Sequence, residues 1–353
     1  MKKIIFILVS LCLFTGNLQV YAQTSLKLEL LHEIDISSIY IPVGELAFPV
    51  LCGNMVYENE IGFDNNCHKI HDLETGKLLK SYKYPFSIDS LGIYTNGKQV
   101  VYVHEFSKKI IVYEGLDKIL EKRLDLNGYI YGLTIDEKYL YAATEKGIII
   151  LDMDGKLVHI INDEISEYID EKEFSIGMLN DKESLYIFDG VYLYKINKDT
   201  YEIIYKTQFK NSYYEVIQNS KYLFPHGINW IDKETGEIVD KVKGGCFAVD
   251  EDFIVYTYDK LVAKRLDTGE KLWEKEYIEN HTFTPLIDDG YFYIFLDKFY
   301  VIDVKTGEVV WEDEPIDYFF EYIPQIMATE EYVTIFVENR DDPKLRIYRK
   351  IYQ

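Results

Sequence analysis

Apolar and polar positions alternate in short runs from one end of this chain to the other, and a turn signal cuts off each run. YFYIFLD, LYAATEKGIIIL and EYVTIFVEN are rich in β-branched and aromatic residues. That pattern predicts strands half or wholly buried in sheets. Between paired runs the same letters return. IHDLETGKLL carries Asp72, Thr75 and Gly76; WIDKETGEIV carries Asp232, Thr235 and Gly236; VIDVKTGEVVW carries Asp303, Thr306 and Gly307. AKRLDTGEKLW keeps Thr268 and Gly269 but has Arg265 in the Asp position. Looser copies are LDMDGKLV (Asp152, Gly155), INKDTYEII (Asn197, Thr200, Tyr201) and VYEGLDKIL, where Asp117 occupies the turn.

The chemistry of one copy explains its letters. An Asp or Asn side chain bonds its own backbone two residues on, and Gly accepts the φ > 0 that closes the hairpin. Asp72, Gly76, Asp152, Gly155, Asp232, Gly236, Gly269, Asp303 and Gly307 are therefore read as structural repeat turns. Trp273 and Trp311 follow on the next strand, where a large flat side chain docks against the neighbouring repeat.

Positions 76, 117, 155, 201, 236, 269 and 307 are spaced 41, 38, 46, 35, 33 and 38 apart. A period near 40 in a chain of strands reads as the blades of a propeller. Seven turns are counted this way. EYVTIFVEN and KLRIYRKIY then supply two further strands, and LKLELLHEID (Leu26 to Asp35) stands alone at the other end. Placing it beside the C-terminal pair makes an eighth blade and leaves no open sheet edge in the ring. The expectation is an all-β, eight-bladed β-propeller, residues 23–353 forming one domain, with the last blade closed by the N-terminal strand. Seven blades is the alternative, if the stretch around Asp117 or Tyr201 is an irregular insertion.

The pattern Asp-x-x-Thr-Gly-x-x-x-Trp resembles the repeat of quinoprotein-like (PQQ-like) propellers. It is full at Asp303, Thr306, Gly307 and Trp311, and nearly so at Thr268, Gly269 and Trp273; Lys80 and Asp240 stand where the Trp would be. The resemblance implies a propeller, and only weakly a function. Its dehydrogenases are much longer and carry a vicinal cysteine pair with calcium-binding carboxylates. Here no two cysteines are adjacent, so the resemblance implies a non-dehydrogenase member without a cofactor. In size and blade count the chain resembles the family's propeller component of the outer-membrane β-barrel assembly machinery.

The first residues change the picture of where the protein works. Lys2 and Lys3, the apolar run Ile4 to Phe14, and Val20-Tyr21-Ala22 read as a secretory signal peptide of residues 1–22. Leu11 before Cys12 does not fit a lipobox. Loss of the two signal lysines leaves 36 basic against 60 acidic side chains. Such a surface repels nucleic acid and anionic membranes. The expected protein is exported, periplasmic or extracellular and monomeric, without a transmembrane segment.

Candidate chemistry is sparse. Cys52, Cys67 and Cys246 are too few for a disulfide scaffold, though a Cys52–Cys67 pairing within one repeat stays open. In CHKIHD only Cys67 and His71 face the same side as metal-capable groups, too few for a structural zinc site. Asp152-Met153-Asp154-Gly155 lacks the further carboxylates of a calcium loop and reads as a shortened turn. No metal site and no catalytic set is nominated. The leading reading is a non-catalytic scaffold that presents a rigid face to a protein or an envelope polymer. The alternative is a lyase or glycan-acting hydrolase at the channel mouth, for which His104 and His226, in hairpin tips, are the named candidates.

Overall fold

The computed structural model describes residues 26–35, 49–60, 66–84, 91–104, 108–124, 130–161, 176–208, 216–225, 229–241, 247–257, 260–276, 285–296, 298–313, 325–337 and 344–352. Their strands form eight four-stranded antiparallel sheets. In chain order, blades 1 to 7 span residues 50–84, 91–123, 130–161, 177–208, 216–241, 247–276 and 286–312. Blade 8 combines Gln325–Ala328, Tyr332–Val337 and Lys344–Tyr352 with the strand Leu26–Asp35 as its outermost member. Leu26 pairs with Tyr352 and Asp35 with Lys344, so the two chain ends are joined along the full length of one strand pair. The seven-blade alternative falls, because the segments around Asp117 and Tyr201 each sit in a complete sheet.

The apolar side chains divide into eight clusters, one in each gap between neighbouring blades. The reason is the two-residue period of the strand. In Met55–Glu60, Val56 points into the gap with blade 8, whereas Tyr57 points into the gap with blade 2. A strand buried on both faces must be apolar throughout, which is why GIIIL and YFYIF read as unbroken runs. Fourth strands, at the perimeter, alternate instead; Ile203–Gln208 is half-buried at every second residue.

The Asp-Thr-Gly turns join third strands to fourth. In blade 7 the Asp303 Oδ1 accepts the N–H groups of Lys305 (2.9 Å) and Thr306 (2.7 Å), and the Gly307 N–H donates to the Asp303 carbonyl at 2.8 Å. Asp72 and Asp232 repeat this arrangement, and Asn197 does so with Tyr201 at φ 60°. Where Arg265 replaces Asp, its guanidinium pairs with Asp267 instead, and Gly269 still donates to the Arg265 carbonyl. The loosest copy is built otherwise than the letters suggest. Gly115 (φ 57°) and Leu116 make a two-residue hairpin, and Asp117 begins the outer strand opposite Glu114.

A fastener crosses each of several gaps at this level. Trp273 of blade 6 lies over Gly307 of blade 7 and donates its indole N–H to the Val304 carbonyl at 2.6 Å. Tyr205 covers Gly236, His32 covers Gly76, and His159 stacks on Tyr201 at 4.4 Å. Trp311 meets Tyr348 of blade 8 edge-on at 5.6 Å. Each pair links a perimeter strand to the turn or sheet of the next blade.

Candidate functional site

Antiparallel order puts the hairpins between first and second strands, and those between third and fourth, on the same face of the disc. The inner hairpins are fixed by Asx turns. Asp136 Oδ1 accepts the N–H groups of Lys138 (2.7 Å) and Tyr139 (2.8 Å), and Asp181 accepts those of Glu183 (3.0 Å) and Ser184 (2.8 Å). Asn96, Asn219 and Asp250 do the same in blades 2, 5 and 6. A short polar side chain satisfies the backbone that a tight turn would leave unpaired.

Three gaps carry a further arrangement of Asp, Tyr and Lys. Asp136 accepts the Tyr141 hydroxyl at 2.9 Å on its second oxygen and an ion pair from Lys198 of the next blade, whose Nζ sits 5.4 Å from the Tyr141 ring. Asp181, Tyr186 (2.9 Å) and Lys233 of blade 5 (3.7 Å) repeat it, with Nζ 5.3 Å from the ring. Between blades 7 and 8, Asp288 pairs with Lys350, which lies 5.9 Å from the Tyr293 ring. Asp250 has Val255 at the Tyr position and Val304 at the Lys position, and it pairs with neither group.

Burial pushes the Asp136 carboxyl up, but the Lys198 ammonium and the Lys138 and Tyr139 N–H groups outweigh it and hold it below the ordinary range. Burial acts likewise on Asp181, against the Ser184 N–H, the Tyr186 hydroxyl, the Glu183 N–H and Lys233, with the same net direction. Burial and the adjoining carboxylates drive the Tyr141 and Tyr186 hydroxyls well above the usual phenol range. Lys233 is pulled down by burial. Asp250, with burial opposed only by two N–H groups and aggravated by Asp252 and Glu251, is raised.

Two of these triads floor adjoining clefts on the hairpin face. The larger, about 770 Å³, runs from Thr95 and Asn96 of blade 2 past Asp136, Tyr139 and Asn180 to Gln218 of blade 5. The second, about 510 Å³, lies between blades 4 and 5, over Tyr186, Lys195 and Lys233. Asp181 and Lys182, at the tip of the blade 4 hairpin, belong to both and divide them. Both clefts mix carboxylates, ammonium groups and tyrosine edges around a rigid floor, and the larger adds the amides of Asn96, Asn180 and Gln218. Such a lining is chemically suited to polar or zwitterionic groups. Its half-buried carboxylates are held toward the ionised form and its phenols toward the protonated one.

The other nominated residues are dispersed. His71 Nε2 is 2.9 Å from Glu58 Oε1, both buried in the gap with blade 8. His68 faces the opposite gap, stacked on Tyr102 at 3.7 Å with Nδ1 2.9 Å from the Tyr113 hydroxyl. Asp152 Oδ1 accepts the Asp154 and Lys156 N–H groups, a turn. Among the described residues no three His, Cys, Asp or Glu side chains are grouped to hold a metal ion. Cys52 and Cys67 are buried thiols at opposite ends of blade 1: Cys52 pairs with Met55 beside the hairpin, and Cys67 with Glu60 at the far end. Strand rise over five residues separates them by about 16 Å, beyond the reach of a disulfide. His104 ends the strand Gln99–His104 on the face away from the clefts. His226, Cys246 and residues 1–22 lie outside the described residues.

No family model matches this chain, and no curated protein does. Solved structures do. The crystal structure of BamB from Moraxella catarrhalis is 11% identical, with a TM-score of 0.61 over 92% of this chain and 100% of that one. The likeness is one of fold. A computationally designed protein, Ika8, gives a TM-score of 0.64 at 12% identity, covering 89% of this chain and 99% of that one. A europium-containing methanol dehydrogenase gives 0.59 at 11% identity, covering 91% and 93%. Together they support a PQQ-like propeller fold and leave the chain's activity open. No helix among the described residues is long and apolar enough to cross a membrane, a statement that does not bear on β-barrels.

Proposed function

We propose that this protein is an exported propeller scaffold of the cell envelope, one that binds a protein partner through the hairpin face of blades 2 to 5. The observation that carries the reading is the cleft of about 770 Å³, whose floor is fixed by the Lys198–Asp136–Tyr141 triad. A concave site with a preorganised polar floor loses little entropy on binding. The repeat turns and the docking residues Trp273 and Trp311 serve the disc itself, so recognition falls to the hairpin tips. Residues 1–22 as a cleaved signal peptide, an exported or periplasmic location and a monomeric state belong to the same reading. BamB's likeness in fold is compatible with it.

The test is affinity capture of the mature chain from its native envelope extract, run beside the cleft-lining variants Asn180→Arg and Tyr139→Ala, each shown by circular dichroism to keep the fold. The expected result is one stoichiometric protein, identified by mass spectrometry and lost with both variants. A partner retained by both would move the interface off this face. Recovery of a glycan would replace the protein reading.

A further inference from the structure

Lys233 stands apart from the other lysines that clasp neighbouring blades. Lys198 spends its ammonium on the Asp136 carboxylate, the Asp181 carbonyl at 2.8 Å and the Asn180 amide oxygen at 3.4 Å. Lys350 pairs with Asp288 and donates to the Thr329 carbonyl at 2.7 Å. Lys233 Nζ has one oxygen partner among the described residues, the Asp181 carboxylate, 3.7 Å away. Its side chain is only 9% exposed, yet it lines the cleft of about 510 Å³ between blades 4 and 5. An ammonium so buried has given up most of its water without close hydrogen bonds in exchange.

A second ammonium crowds it. Lys195 donates from Nζ to the Lys233 carbonyl at 2.7 Å, and the same Nζ lies 5.9 Å from the Tyr186 ring. Lys233 Nζ lies 5.3 Å from that ring as well. Two cations thus share one tyrosine, and Asp181 is the one carboxylate at ion-pair distance among the described residues. The titratable groups around Lys233 from other blades are Asp181, Tyr186, Lys195 and Tyr205 of blade 4 and Glu251 of blade 6. Burial first of all pulls the Lys233 ammonium down and Lys195 adds to it, against the Asp181 and Glu251 carboxylates. Both effects favour the neutral amine, which is the nucleophilic form.

We propose that Lys233 is a reactive amine on the floor of the smaller cleft, which captures small aldehydes as an imine. This goes beyond the partner-binding reading, which rests on the larger cleft. One ammonium proton passes to Asp181, the carboxylate placed to take it, and the freed nitrogen lone pair adds to the carbonyl carbon. The carbonyl oxygen takes a second proton from nitrogen, giving a carbinolamine. Asp181 returns its proton to that hydroxyl, water leaves, and the C=N bond forms. No oxidant or reductant is consumed. The protonated imine restores the positive charge that Asp181 faced, so the clasp between blades 4 and 5 survives the reaction. The aldehyde must be small, because so little of the Lys233 side chain meets open space.

The experiment treats the full mature chain with glycolaldehyde and sodium cyanoborohydride at pH 6 and at pH 8. The hydride reduces each imine to a stable secondary amine, and peptide mass spectrometry maps the adducts over time. Lys233 is expected to be modified about ten-fold faster than the exposed Lys138, with its lead wider at pH 6. Lys233→Met should lose that adduct alone. Circular dichroism is followed through the reaction. Modification of Lys233 at or below the rate of Lys138 overturns the proposal. So does a lead taken by Lys182, Lys195 or Lys221, which assigns the reactivity to other lysines of the same cleft. An adduct at Lys233 that appears only as the folded signal is lost overturns it too, since the amine then reacts only when the cleft is gone.

Discussion

Trp273 rests on Gly307 so closely that a Cβ built on the glycine would lie 2.8 Å from the indole Cγ. Gly307 is thus required twice, by its φ of 74° and by the ring above it. Gly269 has a φ of 68° with nothing within 4 Å of the same position. Gly269→Ala is expected to cost about 1 kcal/mol, the price of a left-handed alanine. Gly307→Ala should cost about 2–4 kcal/mol, because the tryptophan must also move. Urea unfolding of both variants checks the order, and equal losses would show that the docking is loose.

The three lysine clasps differ in strength. Lys198 is held by Asp136 and donates to the Asp181 carbonyl at 2.8 Å, whereas Lys233 stands 3.7 Å from its carboxylate and is penalised by burial. Lys198→Met is expected to destabilise by roughly 2–3 kcal/mol and Lys233→Met by under about 1 kcal/mol. A thermal melt of each at neutral pH measures the difference.

Asp250 should behave in the opposite way to Asp136 and Asp181. Its pKa is raised on folding, so the folded state holds the proton more tightly and stability falls as pH climbs above the unfolded carboxylate value. Asp250→Asn keeps the turn, as Asn96 and Asn219 do in their blades. The variant should gain up to about 1 kcal/mol at pH 7 and nothing at pH 3. Asp136 and Asp181 are lowered, so their contribution is complete above the unfolded value and lost as pH falls through the folded one. Asp136→Asn should therefore cost stability at pH 7 and little at pH 2. Unfolding curves across this range test both signs.

The two thiols of blade 1 should be independent. Cys52 is buried, and that burial pushes its thiol up. Alkylation of the native protein is expected to be slow at Cys52 and Cys67 alike, and reductant should leave the melting temperature unchanged. A melting temperature lowered by reductant would mean a bridge that this arrangement of strands does not permit.

Much of the ring was legible in the sequence, because Asp-x-x-Thr-Gly records backbone chemistry that several blades solve locally. The strand Leu26–Asp35 was legible by elimination, as a strand with no partner near it in sequence. Inner strands such as Val50–Cys52 and Phe247–Val249 were not, since three residues are too few to show a period. Nor was the turn at Gly115, where the aspartate two residues on drew attention from the glycine. The triads escaped because Asp136 and Lys198 lie 62 positions apart and meet only across a gap between blades. A signal was nonetheless present. Asp136 and Tyr141, Asp181 and Tyr186, Asp288 and Tyr293 share one spacing, and Lys198 and Lys233 each follow the Asn or Asp of a repeat turn. The clefts left no such trace, because hairpin tips vary freely where turn positions cannot.

The pairing of Leu26 with Tyr352 has a kinetic meaning. A chain synthesised or threaded across a membrane from its N-terminus presents this strand before any of blades 1 to 7, yet its partner after all of them. Blades 1 to 7 can each form from contiguous residues, while blade 8 waits for the strand Lys344–Tyr352 and then closes a loop of more than 300 residues. Until that moment the strand Leu26–Asp35 is an unmatched edge, open to any other strand nearby. Final closure of the ring is thus a late and slow event. During that interval the protein depends on its surroundings to keep its first strand unoccupied.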